Sequence, residues 1–164
     1  MVNVVGLEDT LAAHPFAADM DAEALRTIVG CCSNAVYHPG DYLFREGEPA
    51  DAFFLIRHGQ VALEIHVPQG PPIVVETLEE GEIFGWSWLI PPYRWSNDAR
   101  ANDQVRVLKL DATCLRRKME ADRTLGYELY RRFLPIMAQR LAANRLRIVE
   151  LATEPRPIRG RSRG

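Results

Sequence analysis

Apolar and polar positions change their period twice along the chain. Over residues 8–34 the spacing is helical. Leu25, Ile28 and Val29 fall on one face behind Asp21, whose carboxylate suits a helix N-cap, and Gly30 offers a stop. A shorter helix through Leu11, Ala12 and Ala13 has Asp9 or Thr10 as its candidate cap. From residue 35 to 110 short apolar runs alternate with turn residues. The runs are Ala35-Val36-Tyr37, Tyr42-Leu43-Phe44, residues 53–56, 61–65, 73–78 and 105–110. Pro39-Gly40-Asp41, Glu46-Gly47-Glu48-Pro49, His58-Gly59-Gln60, Gln69-Gly70-Pro71-Pro72 and Glu80-Gly81-Glu82 separate them. Many short strands at near-regular spacing predict a sandwich or barrel, with residues 61–78 forming a hairpin.

After Leu110 the helical period returns, with Asp111 and Asp122 as candidate caps and a long helix over residues 125–151. Tyr130, Met137, Asn144 and Leu151 recur every seven residues, as do Leu134, Leu141 and Ile148, and the two series make one seam with Asn144 as its polar layer. Pro135 interrupts the pattern. It removes one backbone hydrogen bond and predicts a kink, at a cost of roughly 3 kcal/mol without support. The chain therefore reads as an N-terminal helical segment (1–34), a β domain (35–110), C-terminal hinge and dimerisation helices (111–152) and a disordered basic tail (153–164) carrying Arg156, Arg159, Arg161 and Arg163.

Composition narrows the function classes. A net charge of −2 argues against general binding to nucleic acid or anionic membrane. No apolar run approaches the roughly 20 residues of a membrane span, and the first ten residues lack a basic signal-peptide start. The expected location is cytoplasmic. Cys31, Cys32 and Cys114 show no metal or disulfide spacing, so plain thiols are expected.

Three blocks carry a specific resemblance. His38-Pro39-Gly40-Asp41-Tyr42-Leu43-Phe44-Arg45-Glu46-Gly47-Glu48 is followed by Phe53-Phe54-Leu55-Ile56-Arg57-His58-Gly59-Gln60-Val61-Ala62-Leu63, and later by Leu78-Glu79-Glu80-Gly81-Glu82-Ile83-Phe84-Gly85. Together they closely resemble cyclic-nucleotide-binding domains of the catabolite-activator and protein-kinase-A regulatory type, over roughly residues 25–151. The resemblance implies a mainly β fold: a jelly-roll-like β-roll of about eight strands with N-terminal helices and a long C-terminal helix. It also implies a non-catalytic ligand-sensing or regulatory role.

In that family a short helix after the Phe-Gly step presents backbone N–H groups to the cyclic phosphate. The matching cassette here is Phe84, Gly85, Trp86, Ser87, Trp88 and Leu89, closing with Arg94, Trp95, Ser96 and Asn97. The chain departs from the family at both polar anchors. Trp86 stands where a Glu binds the ribose hydroxyl. Anchoring on Ala99-Arg100-Ala101 puts Trp95 where an Arg binds the phosphate and Ser96 at the Ser/Thr position. An indole only donates. Each lost charge-assisted contact costs about 1.5–3 kcal/mol, or about 10- to 100-fold in affinity, so binding of cyclic AMP or cyclic GMP is expected to be weakened or lost. Three readings of the tryptophans remain open. They plug a vacated pocket, line a changed pocket for an apolar, aromatic or cationic ligand, or leave an unusual nucleotide pose to Arg94 and Ser96.

No metal, nucleophile-elbow or P-loop motif is present, and His14, His38, His58 and His66 are scattered. The expected partners are a small-molecule ligand, a second copy through Tyr130, Leu134, Met137, Leu141, Asn144 and Ile148, and an unidentified protein effector. The seam could instead pack back on the β domain. Relatives that are transcription factors carry a winged helix after the long helix. The chain ends without one, so sequence-specific DNA binding is not expected. The alternative to a sensor is a ligand-free dimerisation or docking module on the same fold.

Overall fold

The computed structural model describes residues 4–153. Helices α1 (Val4–Ala12) and α2 (Ala22–Val29) flank a 3₁₀ turn at Pro15–Ala17. Eight strands follow: β1 (Cys32–Tyr37), β2 (Tyr42–Phe44), β3 (Ala52–His58), β4 (Val61–Ile65), β5 (Ile73–Leu78), β6 (Ile83–Phe84), β7 (Asp98–Ala101) and β8 (Val105–Asp111). A second 3₁₀ turn, Trp86–Leu89, lies between β6 and β7, and helices α3 (Ala112–Ala121) and α4 (Arg123–Thr153) complete the chain. The strands form two antiparallel four-stranded sheets in the orders β1-β8-β3-β6 and β2-β7-β4-β5. This is the β-roll that the strand pattern and the resemblance predict.

β3 explains why its sequence does not alternate. It lies between β8 and β6, and Phe53, Phe54, Leu55 and Ile56 are all buried. A strand covered on both faces reads as a continuous apolar run. Gly59, in the turn to β4, has φ +87°, and a Cβ there would collide with the Gln104 carbonyl oxygen. Only glycine suits that turn.

Asp21 caps α2, accepting from the Glu23 and Ala24 amides at 2.9 Å each, and Asp111 caps α3 through Cys114 N at 2.6 Å. The expected cap for the first helix is corrected. α1 already begins at Val4, and Thr10 lies inside it, its hydroxyl donating back to Gly6 O at 2.6 Å.

The expectation of plain thiols is also corrected. Cys31 and Cys114, 83 positions apart, form a disulfide, with Cα atoms 5.7 Å apart, while Cys32 keeps a free thiol. The pairing of β1 with β8, Cys32 opposite Leu110, brings the two together. Linear spacing could not show it.

The chain divides into two compact units, the first ending at Gly126 and the second beginning at Tyr127. In the second unit α4 runs through Pro135 to Thr153 as one helix. Tyr130, Leu134, Leu141, Asn144, Ile148 and Leu151 are exposed and Met137 is half-buried. Glu128 pairs with Arg131 at 3.0 Å and Arg132 at 2.7 Å. Residues 154–164, including the Arg-rich tail, lie outside the described residues. No helix among the described residues is long and apolar enough to cross a membrane.

Candidate functional site

The cassette leaves the sheet at Phe84, which pairs with Phe54 across β6 and β3. Gly85 then turns with φ +93°. A Cβ there would lie 3.1 Å from Trp95 Cη2 and 3.4 Å from Phe54, so the backbone approaches the aromatic rings as only glycine allows. A single 3₁₀ turn follows, without a side-chain cap. Trp86, Ser87 and Leu89 are half-buried. Trp88 is fully buried, with its indole parallel to Phe53 at 5.6 Å. Phe53 meets Phe16 edge-on at 5.5 Å on the side of the N-terminal helical segment.

The closing arm is set by backbone pairing with residues 47–50. Trp95 N donates to Glu48 O at 3.0 Å, Gly47 N to Trp95 O at 2.9 Å and Ala50 N to Tyr93 O at 2.7 Å. An extended arm points alternate side chains to opposite sides. Arg94 is exposed, and its Nη1 donates to Gly47 O at 2.7 Å. Trp95 turns inward and is only 4% exposed. Ser96 is exposed and Asn97 half-buried, its Nδ2 donating to Asp98 O at 3.3 Å.

Trp95 lies between the two sheets. Its ring is parallel to Phe44 with centroids 3.8 Å apart, and 6.4 Å from Phe54. Phe44 stands opposite Ala99 on β2 and β7, and Ala99 opposite Leu63 on β4. These three share the inner face of their sheet. Phe54 and Phe84, 4.9 Å apart and parallel, close the cluster from the other sheet. The structure thus brings Phe84, Gly85 and Trp95 together, leaves Arg94 and Ser96 outside, and sends Trp88 to the far side of β3.

Several polar contacts, as opposed to the residues that make them, escaped the sequence reading. On the opposite face of the β4–β7 pair, Arg100 holds the buried Glu64 through Nε at 2.8 Å and Nη2 at 2.6 Å, and this hydrogen-bonded carboxylate raises the Arg100 pKa. Buried Asp98 accepts from Glu46 N at 2.7 Å and pairs with Arg45 at 3.4 Å. On α3, Arg116 Nη1 donates to the Trp88 carbonyl at 2.7 Å, and its guanidinium lies 4.4 Å from the Tyr93 ring centre. Tyr93 and Arg116 line a cleft of about 270 Å³ together with Pro49, Asp51 and Arg94.

Along the chain His14 is one of four scattered histidines with no motif around it. It is buried, its Nδ1 accepts from Phe16 N at 3.2 Å, and its Nε2 contacts Ile56 O at 3.1 Å. Because Nδ1 is an acceptor, the proton sits on Nε2 and is donated to the carbonyl. Burial lowers the His14 pKa, and the bond to Ile56 opposes part of that shift.

The profile of the cyclic nucleotide-binding domain family matches residues 35–122. Human cGMP-dependent protein kinase 2 is 31% identical over 98 residues, which cover 59% of this chain and 12% of the kinase. The CRP-like cAMP-activated global transcriptional regulator of Mycobacterium tuberculosis is 23% identical over 88% of this chain and 63% of the regulator. The chain thus spans about an eighth of the kinase and under two thirds of the regulator. Among solved structures, a candidate cyclic nucleotide-binding protein from Geobacter metallireducens superposes with a TM-score of 0.73 at 28% identity, covering 86% of this chain and 99% of that one.

Proposed function

Because the chain belongs to the cyclic nucleotide-binding domain family, we propose that it is a non-catalytic regulatory domain whose ligand space is filled by its own Trp95. The observation that carries this reading is the parallel stack of Trp95 on Phe44 at 3.8 Å, between the sheets, at the position where the resemblance expects the phosphate-binding Arg. With Trp86 at the ribose-binding position as well, neither charged anchor is present. Cyclic AMP or cyclic GMP would have to displace a buried indole and would gain neither contact.

The reading includes a cytoplasmic setting and an output through α4. Tyr130, Leu134, Leu141 and Ile148 are exposed apolar side chains on one heptad seam, which supports a homodimer or a docked protein effector.

The test is a calorimetric and thermal-shift titration with cyclic AMP and cyclic GMP of the wild type and of the double variant Trp86→Glu/Trp95→Arg. The wild type should show no shift in the micromolar range. The double variant should gain roughly 10²- to 10⁴-fold in affinity, as two charge-assisted contacts are restored. Micromolar binding by the wild type would sink the self-filled reading and favour a pose through Arg94 and Ser96. Sedimentation of the wild type against Leu134→Glu/Leu141→Glu tests the dimer, which the variant should abolish.

A further inference from the structure

The Cys31–Cys114 bond joins the segment between α2 and β1 to the start of α3. Cys31 lies between the Gly30 cap of α2 and the first residue of β1, and Cys114 sits in the first turn of α3. Beside the bond, Asp111 N donates to Cys31 O at 2.9 Å. One turn further along α3, the Lys118 ammonium donates to the Thr27 carbonyl, near the C-terminal end of α2. A cation suits that end of a helix, where carbonyls lack partners. These polar contacts do not depend on the sulfur bridge, so α3 keeps a docking geometry when the bridge opens.

Access to the bridge is one-sided. Cys31 is buried at 7% exposed, while Cys114 is half-buried. An external thiolate therefore reaches Cys114 Sγ first. The adjacent Cys32 cannot easily act as an internal attacker. Burial pushes its thiol pKa up to about 11, against a smaller opposing influence of Arg57. At neutral pH it stays protonated, and the thiol is a poor nucleophile in that form. The state of the bridge is thus set by outside reductants and oxidants rather than by exchange within the chain.

We propose that Cys31–Cys114 is a reversible redox clamp on α3, opened by a dithiol reductant. One thiolate of the dithiol attacks Cys114 Sγ. A mixed disulfide forms, the Cys114–Cys31 bond breaks, and Cys31 leaves as a thiolate that takes a proton from solvent. The second thiol of the dithiol, deprotonated, then attacks its partner's sulfur in the mixed disulfide. This closes the reductant's own disulfide and releases Cys114, which is protonated in turn. Two electrons pass from the dithiol to the protein, and a disulfide oxidant reverses the step. α3 also carries Arg116, which holds the Trp88 carbonyl of the cassette. Opening the clamp therefore loosens a helix that supports the cassette.

The experiment uses the full chain with dithiothreitol as reductant and oxidised glutathione as oxidant. Maleimide labelling after denaturation should count one thiol in the oxidised protein and three in the reduced protein. Amide exchange over residues 112–121 should rise about tenfold or more on reduction, with β3 unchanged, and should return on reoxidation. Cys32→Ser should show the wild-type exchange in both states and one labelled thiol fewer in each. Cys114→Ser, or Cys31→Ser if the first variant folds poorly, should show the fast exchange under both conditions. Three labelled thiols in protein treated with oxidised glutathione would overturn the proposal. So would equal exchange of α3 in the two states, or a bond that opens only when the whole domain unfolds.

Discussion

Arg116 on α3 ties down the cassette at two points: its Nη1 donates to the carbonyl of Trp88 at 2.7 Å, and its guanidinium lies over Tyr93 at 4.4 Å. One side chain thereby grips the 3₁₀ turn and the arm that returns to β7. Tyr93 is in the left-handed region, φ +57°, which a tyrosine adopts at a cost. Arg116→Ala should leave the Trp88 carbonyl without this donor and lower stability by about 1–3 kcal/mol. Amide exchange over residues 86–95 should accelerate while β3 and β8 stay protected. Uniform acceleration across the sheets would refute a local grip.

Trp95→Ala tests what the buried indole does for the fold. Its ring contacts Phe44, Phe54 and the backbone at Gly85. Truncation should cost about 3–5 kcal/mol, the usual range for a buried aromatic replaced by alanine. The space left is lined by aromatic rings, and apolar cavities of this kind accept apolar guests. Free indole added to the variant should raise its melting temperature and leave the wild type unchanged. No rescue would mean that the sheets collapse into the gap.

The Glu64–Arg100 pair places a carboxylate side chain that is 3% exposed under a guanidinium side chain that is 33% exposed. Removing the arginine strands a buried charge, which costs about 3–5 kcal/mol in fully buried pairs. The partial exposure of Arg100 lets water relieve some of this, so Arg100→Ala should cost about 2 kcal/mol in urea unfolding. Arg100→Ala/Glu64→Gln should recover much of the loss. If the double variant is as unstable as the single one, the effect lies in packing rather than in the stranded charge.

The pattern of the chain foretold six strands and the helices because those elements carry apolar periods of their own. β6 was missed because it is two residues long. β7 was missed because its sequence, Asp98-Ala99-Arg100-Ala101, looks polar. Its charges are satisfied by Arg45 and Glu64, which lie far away in sequence. The resemblance put Trp95 in the cassette, but which way it faces depends on the pairing of the arm with residues 47–50. The disulfide and the buried state of His14 likewise depend on long-range packing. In each case the local sequence names the residue, and the fold decides its partner.

His14 gives the domain a pH dependence whose sign follows from its bonds. In the folded state Nδ1 accepts from Phe16 N and Nε2–H donates to Ile56 O, so the ring fits only when neutral. Protonation would turn Nδ1 into a donor facing an N–H. Burial lowers the folded-state pKa below the ordinary 6.5, whereas the unfolded chain keeps the ordinary value. Above about pH 6.5 both states are neutral and the stabilisation is complete. As pH falls below that value the unfolded state takes up a proton that the folded state refuses. Stability therefore drops until the folded-state pKa is passed. The surrounding cleft, about 640 Å³, is lined by Asp9, Glu80 and Arg57 along with Thr10 and Gly81. Urea unfolding of the wild type should weaken between pH 7 and pH 5. In His14→Gln, which keeps a donor and an acceptor without titrating, the slope should flatten over the same interval. An equal slope in both proteins would assign the pH dependence to the surface carboxylates and remove His14 from it.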